Sequence, residues 1–257
     1  MIRYPAPGTR HLSPIPGTCP RYPAPVPDTI PSMLRRFSIA ALAGLLLVAA
    51  CGDDGTASPP VTAVQYEVFR AKPTACGAVA PDQAVEMTFA GPDDLALPDD
   101  VGATLHTSCG AISIELYPEL APATVNSFAF LAEQGYFDGT VAHRIVEGFV
   151  VQMGDPTATG RGNPGYRIPD ELPASDYRYS KWVVAMANGG PNTGGSQFFI
   201  VLDDIDLDPE YTVFGVVISG FDALEAIAAI PVDINPDTLE RSVPLEALYI
   251  ESVSIER

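Results

Sequence analysis

The sequence predicts a mainly β fold, a closed eight-stranded antiparallel β-barrel with one early and one late α-helix. Two observations carry this. From Val101 onward, short runs of β-branched and aromatic residues alternate with Gly-, Pro-, Asn- and Asp-bearing breaks. Only two stretches of that region have helical periodicity.

The elements follow in order. Ala103–His106 and Ala111–Leu116 form two strands around a turn at Ser108-Cys109-Gly110, and the second alternates strictly. Pro122 stands near a helix start, where a missing N–H costs nothing. Val125, Phe128, Leu131 and Ala132 give that helix its buried stripe, and Gly135 ends it. Further strands are expected at 141–145, 149–152, 183–186, 198–202, 212–219 and 248–255. A second helix over 221–230 stops at Pro231.

One stretch organises the domain. Val183–Val201 reads VVAMANGGPNTGGSQFFIV, two apolar strands around Asn188–Ser196. That segment is too rich in residues that take positive φ or fix φ to be helix or regular strand. Taken alone, it could be an ordinary surface turn. His143–Asp155, HRIVEGFVVQMGD, changes the reading.

Together with MANGGPNTGGSQFF, it resembles the cyclophilins, peptidyl-prolyl cis-trans isomerases, in the family's motif order and approximate spacing. The resemblance covers 101–257 and implies the same barrel, with helices closing its ends.

The chemistry this implies needs no metal, nucleophile or cofactor. An X-Pro bond isomerises slowly because partial double-bond character sets a barrier of about 20 kcal/mol. At half rotation the prolyl nitrogen regains a lone pair. A donor aimed at that nitrogen, beside a dry slot for the ring, binds the twisted state better than either planar one. Arg144 is the candidate donor, because its guanidinium is forked and permanently charged. A surface arginine in a salt bridge is the plainer alternative. The matching arginine in cyclophilins is the main catalytic residue.

The resemblance further places Phe149, Val150 and Phe199 in the proline pocket, with Val150 where many members have methionine. Gln152, Asn188 and Gln197 match residues that hold the substrate main chain. Ala187 and Gly189 match small residues that let the peptide lie close, and Gly160 lines the adjoining groove. Pairing Asp206–Gly215 with the family motif puts Leu207 in the pocket wall. Tyr211 then falls where many members have histidine, and Asp206 where cyclosporin-sensitive members have tryptophan. Isomerase activity with weak cyclosporin binding is therefore expected. A proline-peptide binding module or chaperone with little turnover is the alternative function.

Composition narrows the partners. The formal net charge of −18 argues against nucleic acid and against electrostatic docking on an anionic membrane. Proline-containing peptides or unfolded exported proteins are the expected partners, and a monomer is expected. With His11, His106 and His143 and no Cys/His cluster, a metal site is not expected.

The first 100 residues lie outside the resemblance. Residues 1–32 are proline-rich without apolar periodicity, and disorder is expected there, as an upstream extension before a true start at Met33. Arg35-Arg36 then precede a 14-residue uncharged run, Phe37–Ala50, the pattern of an export signal over 33–50. Val48-Ala49-Ala50-Cys51 resembles a bacterial lipobox, so Cys51 is expected to be lipidated, although a coincidental cysteine after a cleaved signal would look alike. This reading implies an exported protein anchored by lipid to the outer face of the cell membrane. Residues 51–63 read as an acidic tether. Residues 64–100 read as an extension packed on the barrel, with strand-like alternation at Val64-Tyr66-Val68 and Val85-Met87-Phe89. The remaining cysteines, Cys76 and Cys109, suggest a disulfide in an exported chain, against the alternative of two free thiols.

Overall fold

The computed structural model describes residues 61–257, with side chains from residue 65. The upstream extension, the export signal and Cys51 lie outside the described residues.

Eight strands form one antiparallel sheet. In chain order they are β1 (Gly102–Thr107), β2 (Gly110–Leu116), β3 (Arg144–Val146), β4 (Val150–Met153), β5 (Val183–Met186), β6 (Phe198–Val201), β7 (Val213–Ser219) and β10 (Ile250–Glu256). Their spatial order is β10-β1-β2-β7-β5-β6-β4-β3. A separate hairpin joins β8 (Val232–Ile234) to β9 (Arg241–Pro244). The helices are α1 (Val61–Arg70), α2 (Pro122–Glu133) and α3 (Phe221–Ala228).

The sheet curls but does not close, which corrects the expected barrel. Its edges, β3 and β10, share no ladder. Between them Val141 makes only isolated bridges, to Asp155 and to Tyr249. The cause is local. Thr140 turns back on Phe137, its hydroxyl donating to the Phe137 carbonyl at 2.7 Å, and Gly139 has φ +73°, so the chain straightens only at Arg144. The early strand expected at 141–145 is therefore reduced to three residues, 144–146.

The extension covers this seam. Tyr66 and Phe69 of α1 are buried with Val141 and Tyr249. The Tyr66 hydroxyl donates to the Gly139 carbonyl. That packing explains why 64–68 is helix and not strand: the buried residues are three apart, a helical spacing, while Val68 is half exposed. Val85-Met87-Phe89 forms no strand either. It runs along the domain, held by the Phe89 N–H donating to the Pro164 carbonyl (2.8 Å) and by Phe89 set edge-on to Phe130 at 5.1 Å. Cys76 and Cys109 are joined by a disulfide that ties the extension to the β1–β2 turn.

Inside the curl lies the main core. The stripe of α2 packs there, with Phe128 at 5.4 Å from Phe198 and 5.3 Å from Phe214 between ring centroids. The start of α2 is capped from a distance: Glu171 accepts from the N–H groups of Ala123 and Thr124, each at 2.9 Å. Alternation along the strands sends every second side chain out of this core onto the opposite face. That outer face carries the site.

Candidate active site

The strand registers line up one row across five strands. Arg144 pairs with Gln152, Gln152 with Phe199, Phe199 with Ala185, and Ala185 with Val213. Cross-strand neighbours share a face, so cation, amide and aromatic ring stand side by side on the outside of the sheet.

The apolar part is a second cluster. Phe199 and Val150 are almost wholly buried in it, and Phe149, Leu207 and Tyr211 pack around them, partly exposed. Phe199 meets Tyr211 edge-on, with centroids 5.4 Å apart. Tyr211 is held by Tyr179, whose hydroxyl donates to the Tyr211 carbonyl (2.9 Å) and accepts from its N–H (3.1 Å). The Tyr179 phenol is pushed above its ordinary pKa by burial, so it stays neutral and keeps its donor. Asp206 is exposed and ion-paired with an exposed Arg178.

The polar part is a chain of hydrogen bonds. Arg144 donates from Nη1 to Gln152 Oε1 at 3.4 Å. Gln152 donates from Nε2 to Gln197 Oε1 at 3.0 Å, and Gln197 donates to the Gly162 carbonyl at 2.9 Å. The Arg144 guanidinium carbon lies 5.7 Å from the centre of Phe149, within cation–π range. Beyond the glutamines opens a cavity of about 240 Å3, lined among others by Gln152, Gly160, Ala187, Asn188, Gly189 and Gln197. Sequence reasoning missed Arg161 and Arg167, which line it too.

The structure thus brings Arg144, Phe149, Val150, Gln152, Phe199, Leu207 and Tyr211 into one patch, with the remaining groove residues beside it. The bonds of one groove residue were not foreseen. The Asn188 amide binds neighbouring loops, donating to the Glu210 carbonyl (2.9 Å) and accepting from the Gly190 N–H (3.2 Å). These bonds tie it into the rim of the cavity.

A second residue was missed altogether. Glu240, in the β8–β9 turn, accepts from Arg144 Nε and Nη2, both at 2.7 Å. The guanidinium holds its carboxyl below the usual carboxylate range. Only its acidity could have flagged it, and the chain has 32 Asp and Glu residues, so sequence offered no means of choosing it.

Comparison with known proteins assigns the domain. The family described as cyclophilin type peptidyl-prolyl cis-trans isomerase/CLD matches residues 103–254. The human peptidyl-prolyl cis-trans isomerase-like 3 is 42% identical over 159 residues, covering 60% of this chain and 96% of the relative. Peptidyl-prolyl cis-trans isomerase ppi1 of Schizosaccharomyces pombe is 43% identical over 140 residues, covering 53% and 90%. Among solved structures, a Cryptosporidium parvum cyclophilin type isomerase, crystallised in the presence of the dipeptide Ala-Pro, superposes with a TM-score of 0.55 at 31% identity, covering 61% of this chain and 99% of that one. These relatives are eukaryotic isomerases and isomerase-like proteins, not bacterial exported lipoproteins, and this overturns the location expected from the leader. Over the region that carries the row from Arg144 to Val213, the chain belongs to the cyclophilin-type peptidyl-prolyl cis-trans isomerases.

Proposed function

We propose that the chain turns over X-Pro bonds of unfolded polypeptides by donating from Arg144 to the prolyl nitrogen of the twisted amide. The observation that carries this is the placement of the guanidinium: it sits at the edge of the apolar cluster, beside Phe149, with Gln152 and Phe199 next in the same row. A proline ring seated on Phe199 between Phe149, Leu207 and Tyr211 would put its nitrogen toward Nη1. Water is kept from that surface by the rings, so the hydrogen bond gains strength as the nitrogen becomes a better acceptor. Neither planar form offers that lone pair, so the gain is confined to the half-turned state.

Gln152 and Gln197 supply the clamp. Their bonds to each other and to the Gly162 carbonyl hold the amides in place for exchange with the substrate backbone. Weak cyclosporin binding goes with the exposed, ion-paired Asp206, which offers no indole N–H to the ligand.

The test is Ala-Pro isomerisation in a short peptide, wild type against Arg144→Ala. We expect kcat/KM to fall by about 100- to 1000-fold, the loss that removing one preorganised donor brings elsewhere. Equal rates would leave a proline-binding module as the function of this face.

A further inference from the structure

We infer that Glu240 is a positioning residue for the reaction: its carboxylate grips the Nε–Nη2 edge of Arg144 and thereby aims Nη1 at the substrate. The inference rests on the reading of Arg144 as the donor.

An arginine on a strand edge has a long, freely rotating stem, and a donor that wanders loses the advantage of preorganisation. Arg144 is held on two sides. Behind it, Glu240 takes two parallel bonds of 2.7 Å, the side-on geometry in which carboxylate and guanidinium match. In front, Nη1 reaches Gln152, and the plane lies near Phe149. The guanidinium has five N–H donors, and the Glu240 pair occupies two of them on the edge away from Gln152. Of the three that remain, one is on Nη2 and two are on Nη1; Gln152 takes one of the Nη1 pair, and the other is the donor offered to substrate.

Glu240 is itself fixed, which a passing surface contact would not require. Its carbonyl accepts from Asn235 N–H at 2.7 Å, closing the β8–β9 turn. Asn235 Oδ1 accepts from the N–H of Asp237 (2.9 Å), and Thr238 Oγ1 accepts from Glu240 N–H (3.3 Å). Leu239, beside it, takes φ +60° with its side chain largely exposed. A non-glycine residue in that region is held there by the turn around it. The turn therefore presents Glu240 in one orientation, next to β3.

The opposite role is also chemically coherent: a carboxylate on the donor could compete with substrate and hold activity down. The two separate cleanly. The experiment compares Glu240→Gln and Glu240→Ala with wild type on a short Ala-Pro peptide, in both the native and the Arg144→Ala background, with thermal midpoints measured alongside. Positioning requires kcat to fall on the order of tenfold, the scale of a modest misplacement of a catalytic group, with KM within about twofold. It also requires Glu240→Gln to change nothing further once Arg144 is alanine. Full or raised kcat in Glu240→Gln overturns the inference, and so does an equal loss in both backgrounds. If Arg144→Ala itself keeps the wild-type rate, both this inference and the donor reading fail. If only Glu240→Gln does, the donor reading stands alone.

Discussion

Phe198 and Phe199 are neighbours on β6, nearly equally buried at 0% and 5% exposure, and they join different clusters. Phe198 points into the curl and joins Phe128, Phe137 and Phe214 in an edge-to-face cluster. Phe199 points out, against Tyr211, in line with Gln152 and Arg144. Burial therefore does not distinguish the interior cluster from the proposed site here; the face does. A period of two lets one strand serve both, with the interior aromatic holding the backbone that the exterior aromatic needs.

The largest expected effect breaks this pair apart. Phe198→Ala removes a ring from the closed interior and should lower unfolding free energy by about 3–5 kcal/mol, leaving kcat/KM within about threefold where the protein is still folded. Phe199→Ala should cost less stability, about 1–3 kcal/mol, because the neighbours around it, Phe149, Leu207 and Tyr211, are partly exposed and can close over the gap. Its kcat/KM on an Ala-Pro peptide should fall by at least about tenfold. Urea titrations beside peptide kinetics check both. A folded Phe198→Ala that is catalytically dead, or a Phe199→Ala with full activity, would erase the distinction between the faces.

The disulfide sharpens it. Cys76–Cys109 crosses 33 residues and fixes the extension to the β1–β2 turn, outside the five strands that carry the row. If it acts as the interior does, reducing it costs stability without activity. Closing a loop of this length is worth about 3–4 kcal/mol. The expected outcome is a lower urea midpoint in reductant, absent from the Cys76→Ser/Cys109→Ser double variant, with short-peptide kcat/KM unchanged. A large loss of turnover on reduction would mean that the extension reaches into the site.

How much of this was legible follows from where the information lies. The strands at 183–186 and 198–201 and the stripe of α2 were readable because local pattern and burial agree there. The loop between those strands was readable because its Gly, Pro and Asn residues leave the chain few alternatives. Val64-Tyr66-Val68 misled because the pair that is buried is Tyr66 and Phe69, three apart, and only contact with Val141 and Tyr249 selects that spacing over the alternation. Closure was over-read for a similar reason: strand count does not say whether the last edges meet, and that turns on the Phe137–Thr140 turn. Glu240 was invisible because its partner is 96 residues away. Asn188 was picked out through the resemblance as a residue that holds the substrate main chain, but its bonding was not legible, since the loop that accepts its amide arrives from Glu210.

His143 and Arg144 repeat the contrast of adjacent residues, and pH should expose it. Arg144 reaches the site, while both ring nitrogens of His143 are shut from solvent without hydrogen-bond partners, although the residue keeps some exposed surface. Burial is the main cause that pushes its pKa from 6.5 down to about 4; Asp155 pulls it up and the Arg144 cation pushes it further down. The sign follows. Above about pH 6.5 the imidazole is neutral folded or unfolded and costs nothing. As pH falls from 6.5 toward 4, the unfolded chain takes a proton that the folded one refuses, so stability drops, by up to about 3 kcal/mol at the low end. Glu240 acts in the same direction at lower pH, since its carboxyl is held below the ordinary value. An apolar replacement such as His143→Leu gives up no hydrogen bond, and it removes the titration. Unfolding free energies at pH 7.5 and 4.5 should therefore converge in His143→Leu compared with wild type. If the pH 7.5-to-4.5 loss is the same size in both, the buried imidazole is not its source.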